Sequence, residues 1–172
     1  MKERIKNIKV LALDVDGVMT DGRIIFDSDG KETKNFDVKD GFAIVMFKRA
    51  GFKTAIITAR ASEVVTQRVQ DLGIDKAYQD AFPKINAYKD ILREFKVKDS
   101  EVCFMGDDLP DLGVLKRAGF AVSVADAVPE VKKAAHYITK SKGGEGAVRE
   151  VIELILKTQG KWKETLARYA SS

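Results

Sequence analysis

Val10-Leu11-Ala12-Leu13-Asp14-Val15-Asp16-Gly17-Val18 is the stretch that decides the fold. Val10 to Leu13 is a short continuous apolar run bounded by polar residues, the pattern of a strand buried on both faces of a parallel sheet. Asp14 and Asp16 stand where that strand runs out into a loop, and alternation along an extended chain turns both side chains to the same side. Two carboxylates so placed repel and raise each other's pKa unless a cation or a proton lies between them. The pair points to a divalent metal, to acid–base chemistry, or to both.

Outward from this strand, strand-like and helix-like segments alternate. Gly22 to Phe36 reads as a hairpin, with Arg23 to Phe26 and Lys31 to Phe36 flanking an Asp27-Ser28-Asp29-Gly30 turn. A helix is expected over Gly41 to Ala50, stopped by Gly51, and a second buried strand over Lys53 to Thr58. Ser62 caps a helix reaching Leu72, with Gly73 as its stop; a short strand follows at Asp75 to Tyr78. Pro83 opens a helix from Lys84 to Phe95 that carries Ile85, Tyr88, Ile91, Leu92 and Phe95 at core spacing. Further strands are expected at Val102 to Met105, Phe120 to Val124 and Tyr137 to Thr139, with helices at Leu109 to Ala118, Pro129 to Ala135 and Glu145 to Leu156. Repeated βα units of this kind predict an α/β fold, a doubly wound and mainly parallel sheet with helices on both faces. The tail from Gly160 is polar apart from Trp162, Leu166 and Tyr169, and reads as a frayed helix or a segment that docks on a partner subunit.

With 172 residues the chain suits one domain, 1–172, with a hairpin insertion over about 22–36. Hydrophobic content of 45% beside 33% charged residues is that of a soluble globular protein. The net charge of +4 is spread through helical segments without a basic stripe interleaved with aromatics, which argues against nucleic-acid binding and leaves room for anionic small molecules. Cys103 is the one cysteine and lies in an apolar run, so it reads as a small buried hydrophobe. The N-terminal apolar run is too short for a signal peptide and no stretch has membrane-spanning length, so a cytoplasmic protein with no membrane partner is expected.

In open α/β sheets, sites lie beyond the carboxyl ends of the strands, and several polar groups fall there. Asp14 and Asp16 follow the first strand, Thr58 and Arg60 the second, and Asp107, Asp108 and Asp111 a later one, while Lys84 opens a helix after another. These are the parts phosphoryl transfer uses. A metal and a lysine neutralise phosphate charge, a hydroxyl donates to a phosphoryl oxygen, and a carboxylate attacks phosphorus.

Asp14-Val15-Asp16-Gly17-Val18, Thr58, Lys84 and Gly106-Asp107-Asp108-Leu109-Pro110-Asp111 resemble, in order, the four motifs of the haloacid-dehalogenase-like (HAD) phosphatases. Phe36 to Gly41, Ile57-Thr58-Ala59-Arg60 and Gly143 to Glu150 look like the small subgroup that dephosphorylates 3-deoxy-D-manno-octulosonate 8-phosphate (KDO 8-phosphate), an intermediate of lipopolysaccharide sugar synthesis. The resemblance implies no separate cap domain and a homotetramer in which neighbouring subunits help cover the site, with the hairpin left as lid or interface. It implies that Asp14 attacks phosphorus to form an aspartyl-phosphate, and that Asp16 protonates the leaving oxygen and then activates water. Mg²⁺ is expected on the Asp14 carboxylate, the Asp16 backbone carbonyl and Asp107. Thr58 and Lys84 would hold the phosphoryl group, Asp111 would orient Lys84 or a metal-bound water, and Asp108 would stand behind them. Asp37, Val38, Lys39, Asp40 and Gly41 resemble the loop that lies along the sugar, and Arg60 and Arg68 the positions that bind the anionic substrate, a task suited to a planar bidentate donor. Three positions depart from the subgroup pattern: Asp37 where Asn is usual, Lys39 where Arg is usual, and Ala59 where Gly is usual. Asp37 would repel an anion, whereas Ala59 leaves the phosphate site intact.

Taken singly, each piece has a plainer meaning. Asp-x-Asp-Gly is a capped turn, Thr58 a strand end, Lys84 a solvated helix start, and Gly106 to Asp111 a loop leading into a helix. Their joint placement at strand ends is what argues for a site. Arg68 divides evenly between a surface arginine and an anion contact, and Gly143 to Gly146 between a flexible loop and an anion-binding helix start. His136 reads as structural, Tyr78 and Tyr88 as core or interface, and Trp162 as an exposed or docking anchor. Three other functions use much of the same equipment. These are a phosphatase for a nine-carbon sialic-acid-type 9-phosphate, a receiver-type phospho-acceptor domain, and a non-catalytic assembly subunit. In a receiver the acid pair and the phospho-acceptor sit on different strands, whereas Asp14 and Asp16 share one.

Overall fold

In the computed structural model, which describes residues 1–170, Val10–Leu13 forms strand β1 with every residue buried. Parallel strands β4 (Lys53–Ile57) and β6 (Val102–Gly106) flank it, Val10 lying level with Lys53 and Val102, and Leu13 with Ile56 and Met105. β5 (Lys76–Tyr78) extends the sheet beyond β4, and β7 (Phe120–Ser123) and β8 (Tyr137–Ile138) extend it beyond β6. The order β5-β4-β1-β6-β7-β8 means that the chain builds outward on one side of β1 and then returns to build on the other. Such a reversal opens a crevice at the carboxyl ends of the central strands.

The helices fall into two groups, as a doubly wound sheet requires. α2 (Val38–Arg49), α3 (Glu63–Leu72) and α7 (Ala147–Thr158) pack on one another, while α4 (Lys84–Phe95), α5 (Leu112–Leu115) and α6 (Pro129–Ala134) form the other group. α7 buries Val148, Val151, Ile152, Ile155 and Leu156 along one face. Each aliphatic side chain so withdrawn from water contributes about 1.5–3 kcal/mol. Packing therefore holds α7, whose N-cap, Gly146, has no side chain to offer. α3 follows the sequence signals closely: Ser62 Oγ accepts from Val65 N at 3.4 Å, and Gly73 ends the helix at φ +60°.

Several elements differ from the sequence reading. The hairpin is short, β2 (Ile25–Phe26) against β3 (Glu32–Thr33), because Asp27 Oδ1 gathers Asp29 N and Lys31 N into a tight turn. An isolated bridge between Thr20 and Phe36 closes its base. α2 starts at Val38, three residues before the expected Gly41, because Asp37 caps it by accepting from Lys39 N and Asp40 N. Leu109 to Ala118 is a 3-10 turn over Leu109–Asp111 followed by the short α5, since Asp108 and Asp111 bind local amides. A short helix α1 (Lys2–Lys6) precedes β1 and buries Ile5. The tail forms α8 (Trp162–Ala170) and lies on its own chain: Tyr169 meets Phe42 edge-on, Arg168 donates to Arg49 O, and Lys157 Nζ stands 4.9 Å over the Trp162 ring. His136 is structural, its Nδ1 accepting from Ala121 N at 2.9 Å, and Cys103 and Tyr88 are fully buried.

Candidate active site

The end of β1 turns sharply. Val15 O accepts the amides of Val18, Met19 and Thr20, and the Thr20 hydroxyl accepts from Gly17 N and Gly22 N. Gly17 sits at φ +93°, and a Cβ there would run into the Asp107 carboxylate, so this position needs glycine both for its backbone and for its neighbour. The turn is backed by the Gly143–Gly146 segment, where Gly143 lies against Gly17 O and Gly144 N donates to Val18 O at 3.1 Å. The amides of that segment are thus used within the protein, Gly143 N going to Asp126 Oδ1, and the segment supports the turn from outside the pocket.

Asp14, Asp16, Thr58, Ala59, Arg60, Lys84, Asp107, Asp108 and Asp111 gather around one cavity of about 280 Å³ at the carboxyl ends of β1, β4 and β6. A larger cleft of about 730 Å³ lies at the opposite strand ends, beside Val10, Lys53 and Glu101, and among the described residues holds no cluster of carboxylates. Chemistry, not size, picks out the site.

Lys84, opening α4 behind Pro83, is buried, and its Nζ lies 2.8 Å from Asp14 Oδ1 and 2.6 Å from Asp111 Oδ1. Burial alone would lower this ammonium's pKa, but Asp14 and Asp111 outweigh it and hold it above the usual lysine value. Burial and then the Asp111 charge push the Asp14 carboxyl up, against the pull of Lys84. Asp107 is raised by burial and by the charges of Asp14 and Asp111. Oxygens of Asp14, Asp107 and Asp111 lie within 4.8 Å of one another. Three carboxylates facing one ammonium leave an excess of negative charge that a divalent cation would relieve.

The two candidate ligands Asp107 and Asp111 differ in what they still have to offer. Asp111 spends Oδ1 on Lys84, while its Oδ2 accepts from Asp107 N at 2.9 Å and Asp108 N at 3.3 Å. Asp107 Oδ1 is buried without a hydrogen-bond partner, the kind of orphaned oxygen a cation would satisfy. The donor set of Asp14 and Asp107, all hard oxygen, suits Mg²⁺.

Asp16 turns the other way, toward the hairpin, where Lys34 Nζ lies 2.5 Å from its Oδ1. Lys34 also reaches Glu32, and Glu32 binds Arg60 Nη2 at 2.9 Å. Burial would raise the Glu32 carboxyl, but hydrogen bonds from Ser62, Arg60 and Lys34 bring it down to about 2. The sequence reading missed Glu32, Lys34 and Thr20. Glu32 and Lys34 stand two apart and so share a side of the chain, a signal present in the sequence.

Other expected contacts lie elsewhere. Asp37 caps α2, Val38 is exposed, and Lys39 lines a separate groove near Arg149. Asp40 is buried, and its Oδ1 accepts from Arg149 N at 2.7 Å, so it caps α7. Gly41 lies against Arg68, whose guanidinium stands 5.1 Å over the Phe36 ring. None of Asp37 to Gly41, nor Arg68, lines the acidic cavity within this chain.

Residues 78–152 match the family model for haloacid dehalogenase-like hydrolases. The chain is 43% identical over 159 residues to the 3-deoxy-D-manno-octulosonate 8-phosphate phosphatase of Yersinia pestis, covering 92% of this chain and 85% of that protein. It is 42% identical over 161 residues to that of Escherichia coli strain K12, covering 94% and 86%. The crystal structure of the Moraxella catarrhalis phosphatase in complex with magnesium, phosphate and KDO superposes with a TM-score of 0.95 at 40% identity, over 98% of this chain and 97% of that one. No helix among the described residues is long and apolar enough to cross a membrane. An acid-lined crevice at the switch point of the sheet and this extent of likeness lead to one conclusion: the chain belongs to the haloacid dehalogenase-like hydrolases, in the family of KDO 8-phosphate phosphatases.

Proposed function

We propose that this chain hydrolyses KDO 8-phosphate to KDO and inorganic phosphate, with Mg²⁺ as cofactor and Asp14 as nucleophile, in lipopolysaccharide sugar synthesis in the cytoplasm. The observation that carries the reading is the meeting of Asp14, Asp16, Thr58, Lys84 and Asp107 around one cavity at the ends of β1, β4 and β6. Asp14 attacks phosphorus as the bond to the sugar oxygen breaks, and Asp16 gives that oxygen a proton. Water then attacks the aspartyl-phosphate, Asp16 takes the proton back, and Asp14 is released. Thr58 and the Lys84 ammonium hold phosphoryl oxygens, with Asp111 fixing Lys84 from behind. Mg²⁺ would be held by the carboxylates of Asp14 and Asp107 and by the Asp16 backbone carbonyl, and when bound it draws off charge that builds on the phosphoryl oxygens. The magnesium, phosphate and KDO in the Moraxella catarrhalis relative support both the cofactor and the sugar acid.

A cavity of about 280 Å³ takes a phosphoryl group and part of a sugar. Arg60, at its rim, would meet the substrate's negative charge. Asp40 and Gly41 are buried within this chain, whereas Asp37, Val38, Lys39 and Arg68 would reach the substrate of a neighbouring subunit in a homotetramer. The test is phosphate release from KDO 8-phosphate and from a nine-carbon sugar-acid 9-phosphate, with Mg²⁺ and with EDTA, for the wild type and Asp14→Asn. Release from KDO 8-phosphate that EDTA and Asp14→Asn both abolish is expected. Preference for the nine-carbon ester removes the substrate assignment, and full activity of Asp14→Asn removes the nucleophile.

A further inference from the structure

Asp16, Lys34, Glu32 and Arg60 close a ring of alternating charge at the rim of the pocket. Lys34 Nζ lies 2.5 Å from Asp16 Oδ1 and 3.2 Å from Glu32 Oε1. Arg60 Nη2 lies 2.9 Å from the same Glu32 oxygen, and Arg60 Nε lies 3.7 Å from Asp16 Oδ2. The side chain of Lys34 is 1% exposed and does not line the cavity, whereas Asp16 does. The lysine thus stands behind the aspartate, delivered by the chain just after β3. A buried ammonium is stable only when paired, and both of its partners here are carboxylates of this ring.

We propose that Lys34 is a positioning residue for Asp16, pinning Oδ1 from behind so that Oδ2 is the oxygen facing the substrate for proton transfer. This rests on the phosphatase reading above. In the step concerned, a bond forms between an Asp14 carboxylate oxygen and phosphorus while the bond from phosphorus to the sugar oxygen breaks. The electron pair of that bond stays on the sugar oxygen, which takes the proton from Asp16. Transfer requires the donor within about 2.6–3.2 Å of the acceptor. A carboxyl group free to turn would spend much of its time outside that reach. Lys34 fixes one oxygen and thereby aims the other. Glu32 holds Lys34 in turn, so the hairpin serves the chemistry without touching substrate.

The leaving group supplies the test, because an alkoxide from a sugar needs a proton and p-nitrophenolate does not. kcat/KM, which reads through formation of the phosphoenzyme, is measured on KDO 8-phosphate and on p-nitrophenyl phosphate for wild type, Lys34→Met and Lys34→Arg. Lys34→Met is expected to lose about 100-fold on the sugar phosphate and less than about threefold on the aryl phosphate, while Lys34→Arg keeps the wild-type ratio within about threefold. Equal losses on both esters, or no loss on either, overturn the proposal. Should Lys34→Met fail to fold, Glu32→Gln carries the test. Loosening Lys34 is expected to lower the same ratio about tenfold, and an unchanged ratio overturns the proposal. A wild type inactive on both esters would remove the phosphatase reading and this inference together. An active wild type with an unchanged ratio in the variants removes the role of Lys34 alone.

Discussion

Replacing Lys84 by methionine removes an ammonium that reaches both Asp14 and Asp111, at 2.8 Å and 2.6 Å. The lysine side chain is 3% exposed and that of Asp111 0%, so the charge left on Asp111 is largely withheld from water. Asp111 cannot turn away either, because its other oxygen binds the amides of Asp107 and Asp108. Removing one partner of a buried pair costs about 3–5 kcal/mol. That is a large share of the roughly 5–15 kcal/mol by which a domain is stable. Urea unfolding at neutral pH in EDTA would show it as a midpoint lowered by about 1–5 M, at slopes of about 1–3 kcal/mol/M. The double variant Lys84→Met with Asp111→Asn should recover part of the loss, since it also removes the stranded charge, with a coupling of about 1–3 kcal/mol. A single variant that loses less than about 1 kcal/mol, or a double variant with no recovery, would refute the claim that this buried triad organises the site.

The Asp40 carboxyl is raised to about 6 by burial first, against the hydrogen bond from Arg149 N and with the Asp37 charge adding to the rise. The folded chain therefore holds this proton to higher pH than the unfolded one, and the stability Asp40 contributes is full below 3.8 and lost as pH rises through about 6. The loss is about 3 kcal/mol at about 1.4 kcal/mol per unit. Asp40→Asn keeps the acceptor for Arg149 N and abolishes the titration, so chemical denaturation should show it gaining on wild type between about pH 4 and about pH 7. Parallel stability curves for the two proteins would contradict this. Gly143→Ala drives a methyl into Gly17 O and within 3.0 Å of Thr20 O, both fixed backbone atoms. It should cost about 1–3 kcal/mol in thermal unfolding and lower turnover with it, and an unchanged melting temperature would show that the two loops do not press on each other.

Much of the fold was written in local patterns. The strands β1 and β6 are apolar runs of four or five residues, β4 and β7 each carry three consecutive apolar residues, and the strand ends carry the acids, the threonine and the turn that the site uses. Helix starts were legible where a cap or proline marks them, as at Ser62 and Pro83. Asp37 and Asp40 were harder, because an aspartate that caps a helix and one that meets a ligand look alike in sequence. Asp40 caps a helix 109 residues away along the chain, a contact only the packing of α2 on α7 creates. Likewise the charge of Lys34 reads as surface until the hairpin folds back and buries it beside Asp16. The sequence leaves Asp111 to orient Lys84 or a metal-bound water, and the use of both its oxygens within the chain is what leaves Asp107 as the carboxylate with a lone pair to spare.

The central claim, that Asp14 takes the phosphoryl group before water does, is tested most directly by the stereochemistry at phosphorus. The phosphorothioate analogue of KDO 8-phosphate, made chiral at phosphorus with two oxygen isotopes, is hydrolysed in water carrying the third, and the configuration of the released thiophosphate is read by NMR. Two successive in-line displacements, first by Asp14 and then by water, predict overall retention. Inversion would mean a single direct attack by water and would contradict the account.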